Sequence, residues 1–291
     1  MTNRITNGLE LAAQCFRVLR LDKELIVFPL LSSLGLMAVM ASFALPLWET
    51  DYVQVFVDCF HDNDEEAGEK FLAISRDPIY YALLFCFYLA QYFVVTFFNT
   101  ALVACAIVRF NGGDPNVAVG LRFARARLGV ILAWSVFSAA VSVVLRFIES
   151  SSSIGARIVA GLLGMAWGIG TFFVVPVLVV EKLGPLAALK RSVAVIQRTW
   201  GEALVASIGF GAIEFLLFVV ALIPAVVGGF VNVAYATAIG IGVTAFLLAS
   251  ICLISSTLQS ILLAALYLYA DQGKVPDGFD EAYLRNAFQK R

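Results

Sequence analysis

The chain has 291 residues, of which 61% are hydrophobic and only 14% are charged, and its formal net charge is −1. Soluble globular domains are about 45 to 50% apolar and about 25% charged, so this composition excludes that class and indicates an integral membrane protein. A single histidine also excludes a Ser-His-Asp triad within the membrane and any metal centre built from several histidines.

Apolar stretches long enough to cross a bilayer recur along the chain. A helix needs about 20 apolar residues to cross roughly 30 Å of hydrocarbon. Because backbone polar groups in lipid must be satisfied within their own segment, we expect an all-α fold, a polytopic bundle of transmembrane helices forming one domain over residues 1–291. The predicted spans are six, at residues 26–47, 79–108, 128–147, 158–180, 203–223 and 239–268.

The distribution of basic residues predicts an orientation. In a six-span arrangement, most of the 20 Lys and Arg residues fall in segments on one side. Lysine and arginine concentrate on the cytoplasmic side of membrane proteins. We therefore predict a multi-pass protein of the bacterial cytoplasmic (inner) membrane with both termini in the cytoplasm. No cleavable signal peptide is recognisable, and we expect the first span to act as a signal anchor.

The predicted outer loop, residues 48–78, is acidic around "DCFHDNDEEAGEK". An EF-hand calcium loop requires a glycine where this segment has Ala67, and a glutamate at the twelfth position is missing. We expect a solvated acidic loop, with His61 as a surface residue and no bound metal.

The segment "EKLGPLAALKRSVAVIQRTWGE", residues 181–202, predicts an amphipathic helix over about 185–200. Leu186, Leu189, Val193, Ile196 and Trp200 recur at helical spacing, and the basic residues fall on the other face. Such a helix is typical of the membrane interface.

Related segments lie elsewhere in the chain. "GGDPNVAVGLRFARARLG" predicts a short helix at 116–127, and the termini predict helices at about 5–20 and 278–288. Together they suggest a unit of span, cytoplasmic amphipathic helix and span, present three times with its last copy split by the termini. Cations at such helices attract anionic headgroups by roughly 1 kcal/mol each. The residues expected to contact anionic lipid are Lys190, Arg191, Arg198, Arg122, Arg125 and Arg127.

Polar side chains within the spans are few. Glu214 is the one charged residue deep in a predicted span, and an ionised carboxylate in hydrocarbon is costly. Two interpretations stay open: Glu214 bonds to Gln259 or nearby hydroxyls and fixes helix packing, or it carries a proton or cation. Gln91 and Asn99 are further polar candidates, for which packing is the favoured role.

The segment "GLLGMAWGIG" places Gly164 and Gly168 four residues apart. Small residues at this spacing let membrane helices approach closely. We expect these glycines to serve packing within the bundle or dimerisation.

Two longer segments carry a family resemblance. "VLRLDKELIVFPLLS" at 18–32 and "VVPVLVVEKLGPLAALKRSVAVIQRTWG" at 174–201 resemble bacterial six-span inner-membrane proteins known only as a family of unknown function. They are more distantly similar to the membrane domain of glycerophosphodiester phosphodiesterases. The resemblance implies a fold and no catalytic residues, because the soluble phosphodiesterase domain is absent from this sequence.

These observations favour a non-enzymatic membrane protein without cofactors, acting in membrane or envelope maintenance or assembly by binding lipid or protein. The expected partners are anionic membrane lipids, with a membrane-protein partner or a homo-oligomer as further possibilities and no nucleic acid. The alternative is a small transporter or channel that uses Glu214.

Overall fold

The computed structural model of this protein describes residues 2–47, 77–150, 153–199, 211, 214–231, 234–281 and 284. The described part of the chain is almost entirely helical and contains no strand. The predicted all-α fold is therefore confirmed.

We number the helices in chain order. A 3-10 turn, Lys23–Ile26, joins the first two of them. The helices are α1 (Thr2–Leu21), α2 (Val27–Leu47), α3 (Pro78–Phe110), α4 (Val117–Arg125), α5 (Leu128–Glu149), α6 (Ile154–Gly170), α7 (Val174–Val180), α8 (Pro185–Thr199), α9 (Ile223–Phe230) and α10 (Ala234–Gln272).

Five helical segments of the described part are long and apolar enough to cross a membrane. They are Lys23–Pro46, Pro78–Phe110, Leu128–Glu149, Ile154–Val180 and Tyr235–Gln272. About half of the predicted span 203–223 lies outside the described residues, and its last part belongs to a shorter apolar helix, Glu214–Phe230. The predicted outer loop 48–78 and terminal helix 278–288 also lie largely outside them. The chain is thus a multi-pass membrane protein by its helices, and six spans remain a prediction.

The chain divides into two compact units. The first unit comprises Met1–Leu30, Asn99–Phe123 and Val193–Arg291, and the second comprises Leu31–Phe98 and Ala124–Ser192. Helices α2, α3, α4 and α8 are continuous across this division. The expectation of a single domain therefore remains a prediction.

The core of the first unit brings the two ends of the chain together. Helix α1 packs against α10 through an inward face of Leu11, Cys15, Val18 and Leu19, each at most 3% exposed. The C-terminal segment joins them, because the Asp280 N–H donates to the Gln14 side-chain oxygen at 3.3 Å. The Phe279 ring also meets the edge of Phe110 with centroids 5.6 Å apart.

Helices α9 and α10 of the first unit form a tight hairpin. A Cβ atom on Gly228 would lie 2.6 Å from the Ala236 carbonyl oxygen, and one on Gly240 would collide with the Pro224 carbonyl. The close approach allows hydrogen bonds between the helices: the Ala225 N–H donates to Thr244 Oγ1 at 3.0 Å. Small residues are what permit such contact between membrane helices.

The second unit is held by aromatic and hydroxyl contacts. Tyr92 and Ser142 share a hydrogen bond of 2.8 Å between α3 and α5. The Trp134 and Trp167 rings stack nearly parallel, with centroids 5.9 Å apart, and connect α5 to α6. Aromatic pairs of this kind add to the free energy gained by burying their area.

Candidate functional site

Helix α4 is fixed by contacts at its first turn and carries two outward arginines. The Asn116 side chain accepts from the Val119 N–H at 2.9 Å, and Glu24 accepts from the Val117 N–H at 3.2 Å. These bonds satisfy donors that a helix start leaves free. Arg122 and Arg125 are exposed on the other side of the helix.

Helix α8 buries a face of small residues in the protein, and this face differs from its apolar face. Ala188, Ser192 and Val195 are buried, and Leu186, which the sequence placed on the apolar face, is 62% exposed. The Ser192 hydroxyl accepts from the Phe173 N–H at 3.0 Å. Small side chains allow the helix to pack closely, so the inward face is set by size rather than by hydropathy. Lys190 is exposed one turn after Leu186.

Two further cations on α8, Arg191 and Arg198, were also predicted to contact anionic lipid. Arg191 is half-buried, and its Nε donates to Glu181 Oε1 at 2.7 Å. This ion pair neutralises part of the Arg191 charge within the protein. The side chain of Arg198 lies outside the part of the chain that is described.

Arg127 departs most from its predicted position at the lipid interface. It is only 8% exposed, and its guanidinium donates to the backbone carbonyls of Leu178, at 3.1 Å, and Val179. The last carbonyls of a helix lack partners within the helix and attract a cation. Arg127 therefore caps the C-terminal end of α7. Burial lowers the pKa of its guanidinium, which nevertheless stays charged because an arginine does not lose its proton in proteins.

Three predicted cations thus face outward. Arg122, Arg125 and Lys190 are exposed and have no carboxylate partner among the residues described. Large exposed apolar side chains lie near these cations in the sequence. Leu186 precedes Lys190 by one helical turn, and Leu128, which is 41% exposed, begins α5 three residues after Arg125. An exposed cation beside an exposed hydrophobe suits the boundary between headgroups and acyl chains.

The first unit contains a buried ion pair that the sequence did not predict. Arg109, at the end of α3, binds Asp22 with two nitrogens and Asp114 at 2.7 Å. The Asp22 side chain is 4% exposed, whereas that of Asp114 is 95% exposed. Asp22 lies in the segment "VLRLDKELIVFPLLS", where Arg20, Lys23 and Glu24 are also charged, so its local sequence did not mark it as a buried carboxylate.

Glu214 and Gln259 meet, as one of the two interpretations of the sequence required. The Gln259 Nε2 donates to Glu214 Oε2 at 2.9 Å. Glu214 is half-buried and Gln259 is exposed, so the pair lies on the surface of the helices among apolar side chains.

The other intramembrane candidates make weaker contacts. Gln91 Nε2 approaches the sulfur of Met40 at 3.7 Å, and Asn99 is half-buried in α3. Among the described residues, nothing lies within 4 Å of a Cβ atom placed on Gly164 or Gly168, whereas Gly228 and Gly240 are sites of close helix packing. A packing or dimerisation role for Gly164 and Gly168 stays a prediction.

Reactive groups for catalysis are sparse in the described part. No three His, Cys, Asp or Glu side chains among its residues are grouped as a metal ion would require. Burial raises the pKa of the Cys15 thiol, which disfavours the reactive thiolate.

Comparison with known proteins identifies a family. No curated protein and no solved structure matches the chain, and the more distant likeness to phosphodiesterase membrane domains is not shown. A family profile described as "Family of unknown function (DUF6159)" matches residues 78–278, which is more than half of the chain. The match includes the quoted segment 174–201 and begins after the segment 18–32. The chain therefore belongs to the DUF6159 family, whose function is unknown.

Proposed function

We propose that this protein is a non-enzymatic, multi-pass inner-membrane protein that binds anionic phospholipid and acts in membrane or envelope maintenance or assembly. In this proposal the chain spans the bilayer six times, with Glu214–Phe230 as part of the fifth span, and keeps both termini in the cytoplasm. No cofactor is required.

One observation carries the proposal: the exposed cations Arg122, Arg125 and Lys190 lack carboxylate partners in the described part of the protein. The contrast with other cations supports a binding role, because Arg109, Arg146 and Arg191 form ion pairs. An anionic headgroup would supply the missing charge at roughly 1 kcal/mol per cation.

Substituting these three residues tests the proposal. In a triple variant, Arg122→Gln, Arg125→Gln and Lys190→Gln should each weaken phosphatidylglycerol binding at its own position by about 1 kcal/mol, or about fivefold. Native mass spectrometry of the purified protein, titrated with phosphatidylglycerol, measures this change. Arg157→Gln, which removes an exposed arginine of α6, is the matched control and should bind like wild type. Equal affinity in the triple variant and wild type would reject lipid binding by these residues.

The contact between Glu214 and Gln259 favours a second candidate, a small transporter or channel. A half-buried carboxylate held by one amide on an apolar surface suits proton or cation exchange. On this candidate, Glu214→Gln should reduce proton or cation flux in reconstituted vesicles at least tenfold, because the amide cannot ionise. A pH-sensitive dye trapped in the vesicles reports proton flux.

The control for this experiment is Glu10→Gln, which removes an exposed carboxylate of α1 and should leave flux unchanged. Wild-type flux in the Glu214→Gln variant would leave the carboxylate with a packing role only.

A further inference from the structure

Helix α1 has two opposite apolar faces, and only the inner one is covered by the protein. Leu11, Cys15 and Val18 point into the first unit. Leu9 and Phe16, seven residues apart, are 48% and 39% exposed on the other side. At 3.6 residues per turn these two sets lie on opposite sides of the helix. The outer face therefore differs from the polar face that a helix in water presents.

Basic residues lie beside the exposed apolar residues of α1. Arg17 and Arg20 are exposed, and the Arg20 guanidinium lies over the Phe16 ring, 4.7 Å from its centroid. Leu21 is 69% exposed, and Lys23 is exposed in the turn that follows. Neither arginine has a carboxylate partner in the described part of the chain. Charge and apolar surface thus coincide at the end of α1.

The length of the first span indicates where the C-terminal end of α1 lies relative to the bilayer. Helix α1 ends at Leu21, and the apolar segment Lys23–Pro46 follows after one residue. That segment has 24 residues and is about 36 Å long, against roughly 30 Å of hydrocarbon. Only about one helical turn is left over, so Arg20 and Lys23 lie at the level of the headgroups.

We infer that the outer face of α1, formed by Leu9, Phe16, Arg17, Arg20, Leu21 and Lys23, is a binding surface for anionic phospholipid. The phosphate lies against the cations, and Phe16 and Leu21 enter the upper acyl region. Charge complementarity and the depth of the first span favour this occupant over a soluble partner. The inference rests on the proposed lipid-binding function and assigns it a second set of residues.

The test compares two sets of substitutions in the full-length protein titrated with phosphatidylglycerol. Arg17→Gln with Arg20→Gln should weaken binding about fivefold for each cation removed. Leu21→Asn, which leaves the charge unchanged, should weaken it in the same direction. Arg17→Lys with Arg20→Lys keeps the charges and should retain most of the affinity. Phosphatidylcholine, which has no net negative charge, should bind the arginine variants and the wild-type protein alike.

The results separate this inference from the proposal on α4 and α8. Wild-type affinity in both the arginine-to-glutamine and the Leu21→Asn variants would overturn the role of α1, whatever the effect of changing Arg122, Arg125 and Lys190. Weaker binding in both, with Arg157→Gln unchanged, would establish the α1 surface even if the α4 and α8 substitutions have no effect.

Discussion

Replacing Arg109 with methionine should lower the free energy of unfolding by about 3 kcal/mol or more. The substitution keeps much of the side-chain stem but removes both nitrogens that bind Asp22. The Asp22 carboxylate is 4% exposed, so water cannot replace the lost partner. An uncompensated buried charge is one of the few causes of so large a loss.

Unfolding by SDS in mixed micelles, followed by tryptophan fluorescence, measures this loss. Asp114→Asn is the matched control: it removes the second partner of Arg109, but the Asp114 side chain is 95% exposed and should contribute less than about 1 kcal/mol. Adding Asp22→Asn to Arg109→Met should recover part of the stability, because no buried charge then remains. Equal losses in the Arg109→Met and Asp114→Asn variants would contradict this account of the pair.

The second large effect is expected at the α9–α10 hairpin. Gly240→Ala should destabilise the protein by about 3 kcal/mol, because its methyl group would collide with the Pro224 backbone carbonyl. Backbone cannot rotate away as a side chain does, so the helices must separate. Separation also stretches the bond from the Ala225 N–H to Thr244 Oγ1.

Gly242→Ala is a control on the same helix. A Cβ atom there would meet nothing within 4 Å, and alanine favours helix by up to about 1 kcal/mol over glycine. The same SDS titration should therefore find Gly242→Ala neutral or slightly stabilising. A small loss in Gly240→Ala, comparable with Gly242→Ala, would mean that the two helices are not in close contact.

The sequence predicted most of the helices, because span length and helical periodicity are local properties. The predicted helices at 116–127 and 185–200 correspond to Val117–Arg125 and Pro185–Thr199. The family resemblance drawn from the segment 174–201 is confirmed by the family match.

Which faces pack together was harder to predict. Hydropathy placed Leu186 and Leu189 on the apolar face of α8, whereas the residues that pack into the protein are Ala188 and Ser192. Within and beside a bilayer, large apolar residues gain little from facing protein rather than lipid, whereas small ones allow close approach. Glycine spacing alone is a weak guide for a related reason: whether Gly164 or Gly240 meets another helix depends on a neighbour distant in sequence.

Local sequence patterns could not predict the role of a residue that binds a backbone group distant in the sequence. Arg127 resembles its neighbours Arg122 and Arg125 in sequence, but it alone meets the carbonyl groups at the end of α7. Glu214 is the opposite case, because few polar partners are available in the spans. Its pairing with Gln259 was consequently among the interpretations of the sequence.

The packing of α1 against α10 and the C-terminal segment constrains the order of biogenesis. Helix α1 is synthesised before α10 and the segment around Asp280, which follow roughly 10 to 50 s later at ordinary rates of translation. The core of the first unit therefore cannot close until α10 has been made. During that interval Leu11, Cys15 and Val18 need temporary cover from lipid or a chaperone.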